Sequence, residues 1–315
     1  MRYANGDKLR RVEWVDTCRG IGILLVVLGH CNPPWSKYIY SFHMPLFFIL
    51  SGYLFRQKKN VLGYSKKIMR RYIFPYFILC FINLIIVTIT EGGNNFRKYI
   101  LGIVYSRGSA AWMPNCSPLW FLTCIAVALS IYNLIIHIRN AKVQIILIGL
   151  AAAVSYFLNI NNAPKLPWNI DTALMATPFI AVGHLIYLKQ DELDEIDIPY
   201  FKWITVLLGC LATYFNLTTV SFNNNDYGNI ALMFIAGILI PIGIMEFVKQ
   251  YNPFPKVFGF YGTYTMFIMG FDYFCGAIVQ RFTSNYVLLF VGKTLILTFG
   301  IILWKGIKKL MSNFK

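Results

Sequence analysis

Charged side chains are scarce in this sequence. Only 13% of the 315 residues are Asp, Glu, Lys or Arg, roughly half the share of a soluble domain, whereas 57% are hydrophobic. Acidic residues are outnumbered 13 to 29 by Lys and Arg, and there are four histidines. This composition excludes a soluble globular fold. It predicts an all-α polytopic membrane protein, because helices satisfy their own backbone hydrogen bonds in lipid.

Familiar motifs of soluble enzymes are also missing. No GxSxG, P-loop, HExxH or GxGxxG pattern is present, so soluble hydrolase, ATPase and dehydrogenase functions have no support. The seven cysteines are scattered without CxxC spacing and mostly lie in apolar segments. We therefore predict no disulfide framework and no metal site. The net charge of +16 fits the basic cytoplasmic loops of membrane proteins, so no nucleic-acid partner is predicted.

Ten apolar segments are long enough, or nearly so, to cross a bilayer. We treat residues 1–315 as one integral membrane domain. Its predicted spans are roughly 13–31, 38–55, 72–90, 118–138, 142–160, 171–189, 202–217, 229–248, 262–281 and 286–305. With both termini in the cytoplasm, 21 Lys and Arg fall in cytoplasmic segments, six in outer ones and two within spans. This bias follows the positive-inside rule and fixes the predicted orientation.

The first span carries Asp16, Arg19 and His30, and ionisable groups at membrane depth are costly and usually functional. Eleven residues separate Arg19 from His30, which is three helical turns plus about 20°, so both lie on one face about 16 Å apart along the axis. Asp16 is close enough to pair with Arg19, and three glycines in the span favour close helix packing. We favour a functional role over a structural one, in which Arg19 snorkels and His30 caps the helix.

The second span contributes His43, which enters from the outer side and is predicted to lie at a depth similar to that of His30. Histidine is the usual general base, although a helix–helix hydrogen bond is the alternative for His43. Ser117 and Pro118 predict the N-cap and first residue of the fourth span. Trp120 there belongs either to the aromatic belt or to a binding site.

A cationic cluster, Lys66–Lys67 and Arg70–Arg71, lies in the predicted loop before the third span. It either orients the protein and attracts anionic lipid, or clamps the phosphates of a ligand. Asp272 and Lys293 lie deep in the last two spans, where a structural ion pair and a role in an active site are equally open. His184 is predicted to reach water, and residues 221–229 predict only a polar turn.

These motifs resemble the acyltransferase 3 family, and within it the fucose 4-O-acetylase-like branch. The residues that carry the resemblance are Trp14–Val15–Asp16 before Arg19 and His30, Ser41 to Phe48, Ser51 to Tyr53, and Pro118 to Leu122. Beyond residue 125 little is diagnostic. Many members have a histidine in a late helix, and here Asp272 stands near that place.

The resemblance implies an O-acetyltransferase of the bacterial cell membrane. It moves an acyl group, usually acetyl, from cytoplasmic acyl-CoA (acetyl-CoA) to a hydroxyl of a cell-surface or lipid-linked glycan. The motif residues are Arg19 and His30, with Asp16 beside them. The basic cytoplasmic face, with Arg70 and Arg71, would receive the donor.

In this interpretation His43 and Trp120 contact the acceptor. His30 acts as general base or carries the acyl group as a nucleophile, and we favour the base. A glycan or lipid transporter without covalent chemistry is the alternative, because it also uses buried charges on Gly- and Pro-rich helices. The sequence leaves open the acyl group, the acceptor sugar and its hydroxyl, and the oligomeric state.

Overall fold

A computed structural model describes residues 12–313 except residues 59, 107, 110 and 196–198. Its described residues form helices and turns without a β-strand, and 80% of the chain is helical. The all-α prediction is therefore confirmed. Both chain ends, which the sequence predicts in the cytoplasm, lie outside the described residues. So do Lys59 and Arg107, which count among the predicted cytoplasmic and outer basic residues.

Thirteen α-helices follow one another along the described part of the chain. They are α1 (Glu13–Gly29), α2 (Ser36–Tyr53), α3 (Val61–Glu91), α4 (Phe96–Tyr105), α5 (Trp120–Ile136), α6 (Ala141–Ile160), α7 (Ile170–Leu188), α8 (Gln190–Asp194), α9 (Phe201–Phe215), α10 (Ile230–Tyr251), α11 (Pro255–Thr263), α12 (Thr265–Val279) and α13 (Tyr286–Asn313). Each of the ten predicted spans coincides with one helix. The short helices α4, α8 and α11 lie between them.

The third helix begins well before the predicted span at residue 72. Its first residue is Val61, because the side chain of Asn60 caps the helix by accepting a hydrogen bond from the Gly63 backbone N–H at 2.7 Å. Lys66 and Arg71 therefore lie on helical turns of α3, and the prediction that they belong to a loop is wrong.

The predicted cap of the fourth span is also wrong. A 3₁₀ turn, Ser117–Leu119, precedes α5, and no side chain caps that helix. The Ser117 hydroxyl instead donates a hydrogen bond to the carbonyl of Gly108 at 2.7 Å. A long-range contact therefore replaced the local one, because the loop around Gly108 folds back onto the start of α5.

Six helical stretches of the described chain are long and apolar enough to cross a membrane: 61–90, 117–136, 141–160, 167–188, 230–251 and 286–311. The apolar helices α9 and α12 are shorter, at 15 residues each. In α5, 72% of the apolar window is buried by protein, against 11% in α6. The chain is thus a polytopic membrane protein in which α5 is central and α6 presents its apolar surface outward.

Helix α1 contacts α2, α10, α11, α12 and α13, and its closest partner is α11. A Cβ added to Gly20 would lie 1.8 Å from the carbonyl oxygen of Phe258, and one added to Gly262 would lie 1.9 Å from that of Asp16. The two helices therefore meet backbone to backbone, as small residues in membrane helices allow. This contact places α11 against the Asp16 half of α1, while α12 meets the other end of the helix.

Candidate active site

His30 follows the last residue of α1, and its ring contacts a carboxylate that two other helices hold in place. The Nδ1 atom of His30 lies 2.6 Å from Oδ2 of Asp272 on α12. The other oxygen of Asp272, Oδ1, lies 2.7 Å from Nζ of Lys293 on α13. The side chains of Asp272 and Lys293 are 1% and 3% exposed, whereas that of His30 is 16% exposed. One buried carboxylate therefore joins a histidine to a lysine.

This geometry decides which nitrogen of His30 is free to react. An ionised carboxylate only accepts hydrogen bonds, so the N–H of the neutral ring must be on Nδ1 and point at Asp272. Nε2 then carries the lone pair and can take up a proton. The ammonium of Lys293, 2.7 Å from the other oxygen, balances the negative charge of Asp272. The sequence left a structural pair and a role in an active site equally open, and the structure combines the pair with a contact to His30.

A cavity of about 430 Å³ lies beside His30, within the usual size range of ligand sites. Its walls come from α1, α2, α12, the start of α5 and the loop between α9 and α10. That loop contributes residues 219–224 and Asp226. The rings of Tyr40, Phe47, Trp120 and Tyr273 supply aromatic surface. A cavity with aromatic walls and a few polar groups suits a ligand that is partly apolar and partly hydroxylated.

His43 lies in the wall of the same cavity, as the directions of the first two spans predicted. Its Nδ1 lies 2.8 Å from the carbonyl of Ile39, one turn earlier on α2, so Nδ1 is the protonated nitrogen of the neutral ring. The bond is within its own helix, unlike the helix–helix bond that the sequence offered as an alternative. His43 is 5% exposed, and its Nε2 is left as an acceptor.

Trp120 also lines the cavity, at the first turn of α5, and is 6% exposed. The carbonyl of Gly108 fixes this part of the wall, since it accepts hydrogen bonds from Ser117 at 2.7 Å and from the amide of Asn223 at 2.6 Å. The segment before α5 and the 219–226 loop are therefore joined at one point. Sequence reasoning predicted only a polar turn for that loop and missed its place in the cavity wall.

Arg19 and Asp16 lie at the other end of α1. Arg19 Nη1 is 3.8 Å from Asp16 Oδ1, and their side chains are 23% and 12% exposed. Neither residue lines the His30 cavity. Asp16 instead borders a second cavity of about 510 Å³, which also contacts Glu13 and Lys305. The predicted pairing of Asp16 with Arg19 is present as a long ion pair, away from the His30 cavity.

Arg70 and Arg71 are exposed on the first turns of α3, and neither lines either of these two cavities. The structure therefore does not bring this cluster to His30. The prediction that His184 reaches water is wrong, since it is 6% exposed and its Nδ1 lies 2.8 Å from the hydroxyl of Tyr132. The ring of Phe55 covers it edge-on at 5.0 Å.

Sequence reasoning did not assign Asp272 and Lys293 to the site. The signal was present, because each is an ionisable residue deep in an apolar span. It did not specify their partner, because His30 lies 242 residues before Asp272 and nothing local shows that the two helices touch.

The comparison with known families decides the class of the protein. Residues 12–307 match a family model described as an acyltransferase domain, that of the acyltransferase 3 family. The chain belongs to the acyltransferase 3 family. No curated protein and no solved structure gave a match. The resemblance to the family is thereby confirmed, whereas the fucose 4-O-acetylase-like branch stays a prediction.

Family membership makes the chain a membrane acyltransferase. It therefore favours acyl transfer over transport without covalent chemistry. A histidine with a free Nε2 in a cavity, held at Nδ1 by a buried carboxylate, is a group that can activate a hydroxyl for such a transfer.

Proposed function

We propose that this protein is an O-acetyltransferase that moves an acetyl group from cytoplasmic acetyl-CoA to a hydroxyl of a cell-surface or lipid-linked glycan. The contact between His30 and Asp272 beside the cavity carries the proposal, because it leaves Nε2 of His30 as a base. Family membership supports acyl transfer as the reaction class. The proposed location is the cell membrane of a bacterium, where the product would enter polysaccharide biosynthesis.

His30 acts at the step in which the new ester bond forms. The acceptor hydroxyl gives its proton to Nε2 as its oxygen attacks the thioester carbonyl. The tetrahedral intermediate then collapses, the C–S bond breaks, and the imidazolium returns the proton to the CoA thiolate. Asp272 holds the ring and stabilises the imidazolium between these steps, as a carboxylate does in hydrolase triads. An acyl-histidine intermediate is the alternative and would give ping-pong kinetics.

Acetyl-CoA is proposed to reach this point from the Arg19 end of α1. Arg19 lies about 16 Å from His30 along the helix, and Arg70 and Arg71 add positive charge at the start of α3. A polyphosphate held at this basic face places the pantetheine arm along the protein toward His30. We therefore assign donor binding to Arg19, Arg70 and Arg71, with Asp16 orienting Arg19.

The acceptor is proposed to occupy the His30 cavity. Trp120 offers an aromatic surface for a sugar ring, and Nε2 of His43 accepts a hydrogen bond from a sugar hydroxyl. The polar 219–226 loop surrounds the same space with hydroxyl, amide and carboxylate groups. This mixture suits a glycan better than a purely apolar alcohol.

Mass spectrometry of the producing cell's polysaccharides tests the proposal. Polysaccharide from cells with the protein should carry the added mass of acetyl esters, and these should vanish when the gene is deleted. Re-expression of the wild-type protein should restore them, while re-expression of His30→Ala should not. Unchanged polysaccharide mass in the deletion strain would refute the glycan acceptor, and transport alone would move the saccharide without forming an ester.

A further inference from the structure

We propose that Lys293 is a positioning residue that keeps His30 unprotonated, and hence able to act as a base, by neutralising Asp272. The inference rests on the proposed function, since it assigns a role within that mechanism. Nζ of Lys293 lies 2.7 Å from Asp272 Oδ1, on the side of the carboxylate that His30 does not use. A Cβ at Gly276 would lie 3.6–3.7 Å from Cε and Nζ of Lys293, which is ordinary contact distance, so α12 packs against the lysine side chain.

The argument begins with the charge of the buried cluster. Asp272 and Lys293 are 1% and 2% exposed, and an isolated charge at such a position is strongly unfavourable. With both residues ionised and His30 neutral, the cluster has no net charge. If the lysine charge is removed, the nearest source of positive charge for the carboxylate is the imidazole 2.6 Å away. His30 then takes up a proton on Nε2 before any substrate arrives, and this nitrogen no longer has a lone pair to accept the proton of the acceptor hydroxyl.

The other groups around His30 do not replace this charge. From α2 come Tyr40 and His43, and from α12 come Tyr273, whose ring is edge-on at 5.0 Å, and Cys275. Cys31 follows His30 in the chain. The charged residues of α10, Glu246 and Lys249, pair with each other, and Lys249 lies over Trp14 at the opposite end of α1. Among the described residues around His30, Lys293 is therefore the cation that balances Asp272.

The same arrangement matters once the reaction starts. When the acceptor proton moves to Nε2 of His30, the neutral cluster becomes singly positive. That charge develops at the same time as the negative oxygen of the tetrahedral intermediate, and the two attract each other in a buried site. Without the lysine, the charge of Asp272 would make His30 bind a proton more tightly before the reaction, so less of the histidine would be available as a base.

Lys293→Met tests the role, because methionine keeps most of the length and removes the charge. Purified protein in nanodiscs receives acetyl-CoA and a panel of p-nitrophenyl hexopyranosides, and ester formation is measured by mass spectrometry across a pH series. In parallel, diethyl pyrocarbonate is added without substrates. This reagent ethoxycarbonylates the unprotonated imidazole nitrogen with loss of ethanol and carbon dioxide, and peptide mapping reports His30 alone. Lys308→Met is the matched control, an exposed lysine on the same helix over the Trp304 ring at 5.1 Å.

The expected result is a shift of the acid limb of both profiles to higher pH by about one unit or more in Lys293→Met. On the acid limb, below both midpoints, this means a loss of about tenfold in transfer and in His30 modification, recovered as the pH rises. Lys308→Met should follow the wild-type profiles. Coincident profiles for Lys293→Met and the wild type would overturn the inference.

The double variant Asp272→Asn/Lys293→Met keeps the test decisive if the single variant folds poorly. It removes both buried charges, so no uncompensated carboxylate beside His30 favours the protonated ring before substrate binds. Its His30 modification profile should return toward that of the wild type, although transfer stays low because the carboxylate on Nδ1 is missing. A modification profile shifted as far as that of Lys293→Met would mean that the lysine does not act through the charge of Asp272. If the wild type forms no ester, the proposed function fails, while the His30 modification profiles still test Lys293.

Discussion

The two ends of α1 carry ionisable residues that are built into the protein in different ways. At one end, Asp16 and Arg19 belong to the same helix, lie 3.8 Å apart and keep 12% and 23% of their side chains exposed. At the other end, His30 meets Asp272 at 2.6 Å, and Asp272 meets Lys293 at 2.7 Å. That second cluster joins three helices, and its carboxylate and ammonium are almost fully buried.

The buried contacts hold the His30 ring in one orientation, whereas the partly exposed side chain of Arg19 can move. Short contacts between buried groups of different helices fix orientation, which a proton-transfer step requires. A long, partly exposed pair within one helix is weak and can exchange its partner for a ligand phosphate. The proposed function therefore assigns chemistry to the His30 end and donor binding to the Arg19 end, and variants at the two ends should fail in different ways.

The largest effect is expected from removing the base. His30→Ala should lose acetyl transfer by about 100-fold or more, the scale of a missing general base, and should bind acetyl-CoA nearly as the wild type does. His30→Gln keeps hydrogen-bonding capacity but cannot take up a proton, so it should fail as well. Transfer rates on purified variants in nanodiscs, with donor affinity from calorimetry, check both points. Transfer by His30→Ala near the wild-type rate would make the histidine structural.

Asp272→Asn should have the next largest effect. An amide of the same shape can still contact Nδ1, but it does not fix the ring as firmly or stabilise the imidazolium, so transfer should fall by about 10- to 100-fold. Donor affinity should not change, because Asp272 lies at the end of α1 away from Arg19. A loss of acetyl-CoA affinity that matches the loss of transfer would show that the two ends are not separate.

The helices could be predicted because their signal is local. Length and apolarity place the ten spans, each of which coincides with one helix, while the orientation drawn from the basic residues stays a prediction. The side chains that face the cavity from α1 and α2 could also be anticipated, since consecutive spans run in opposite directions and bring His30 and His43 to one depth.

The contacts between distant helices could not be predicted in the same way. Nothing in the sequence near Asp272 indicates that α12 lies beside the end of α1. The sequence predicts no separate helix at α11, and only residues 262 and 263 fall in the predicted span 262–281, although a Cβ at Gly262 would lie 1.9 Å from the backbone of α1. Both features depend on which helices are neighbours, and hydropathy does not carry that information.

Gly262→Ala should disturb the Arg19 end without removing a charge. Its Cβ would lie 1.9 Å from the backbone oxygen of Asp16, so α11 must move away from α1 at a cost of about 1–3 kcal/mol in stability. Gly259→Ala is the matched control on the same helix, since no atom lies within 4 Å of its added Cβ. Thermal unfolding in nanodiscs should rank Gly262→Ala below the wild type and Gly259→Ala at or above it. An equal response of the two variants would contradict the close contact between α1 and α11.

Arg19→Ala should weaken donor binding and turnover together, by about tenfold, because a charge-assisted contact with the donor is lost. Arg19→Lys should recover part of the activity, since a point charge remains and the planar fork does not. Calorimetry and transfer kinetics on the two variants provide the measurement. The modification of His30 by diethyl pyrocarbonate should match the wild type in both. If Arg19→Ala alters that modification instead of donor affinity, the arginine supports the His30 end.

The smallest effect is expected from the cationic cluster on α3. Arg70→Gln/Arg71→Gln should bind acetyl-CoA a few-fold more weakly at low ionic strength, because both side chains are exposed and solvent weakens their attraction for phosphate. Salt screens such contacts, so the wild-type affinity should fall as salt rises and the difference between the two proteins should shrink. Calorimetry in nanodiscs of zwitterionic lipid removes the contribution of anionic headgroups.

The control is Arg97→Gln/Lys98→Gln, which removes two exposed charges from α4 on the predicted outer side. If the two double variants insert normally and bind acetyl-CoA with equal affinity, Arg70 and Arg71 serve only to orient the protein in the membrane. Donor binding at the Arg19 end of α1 would then depend on Arg19 without their help.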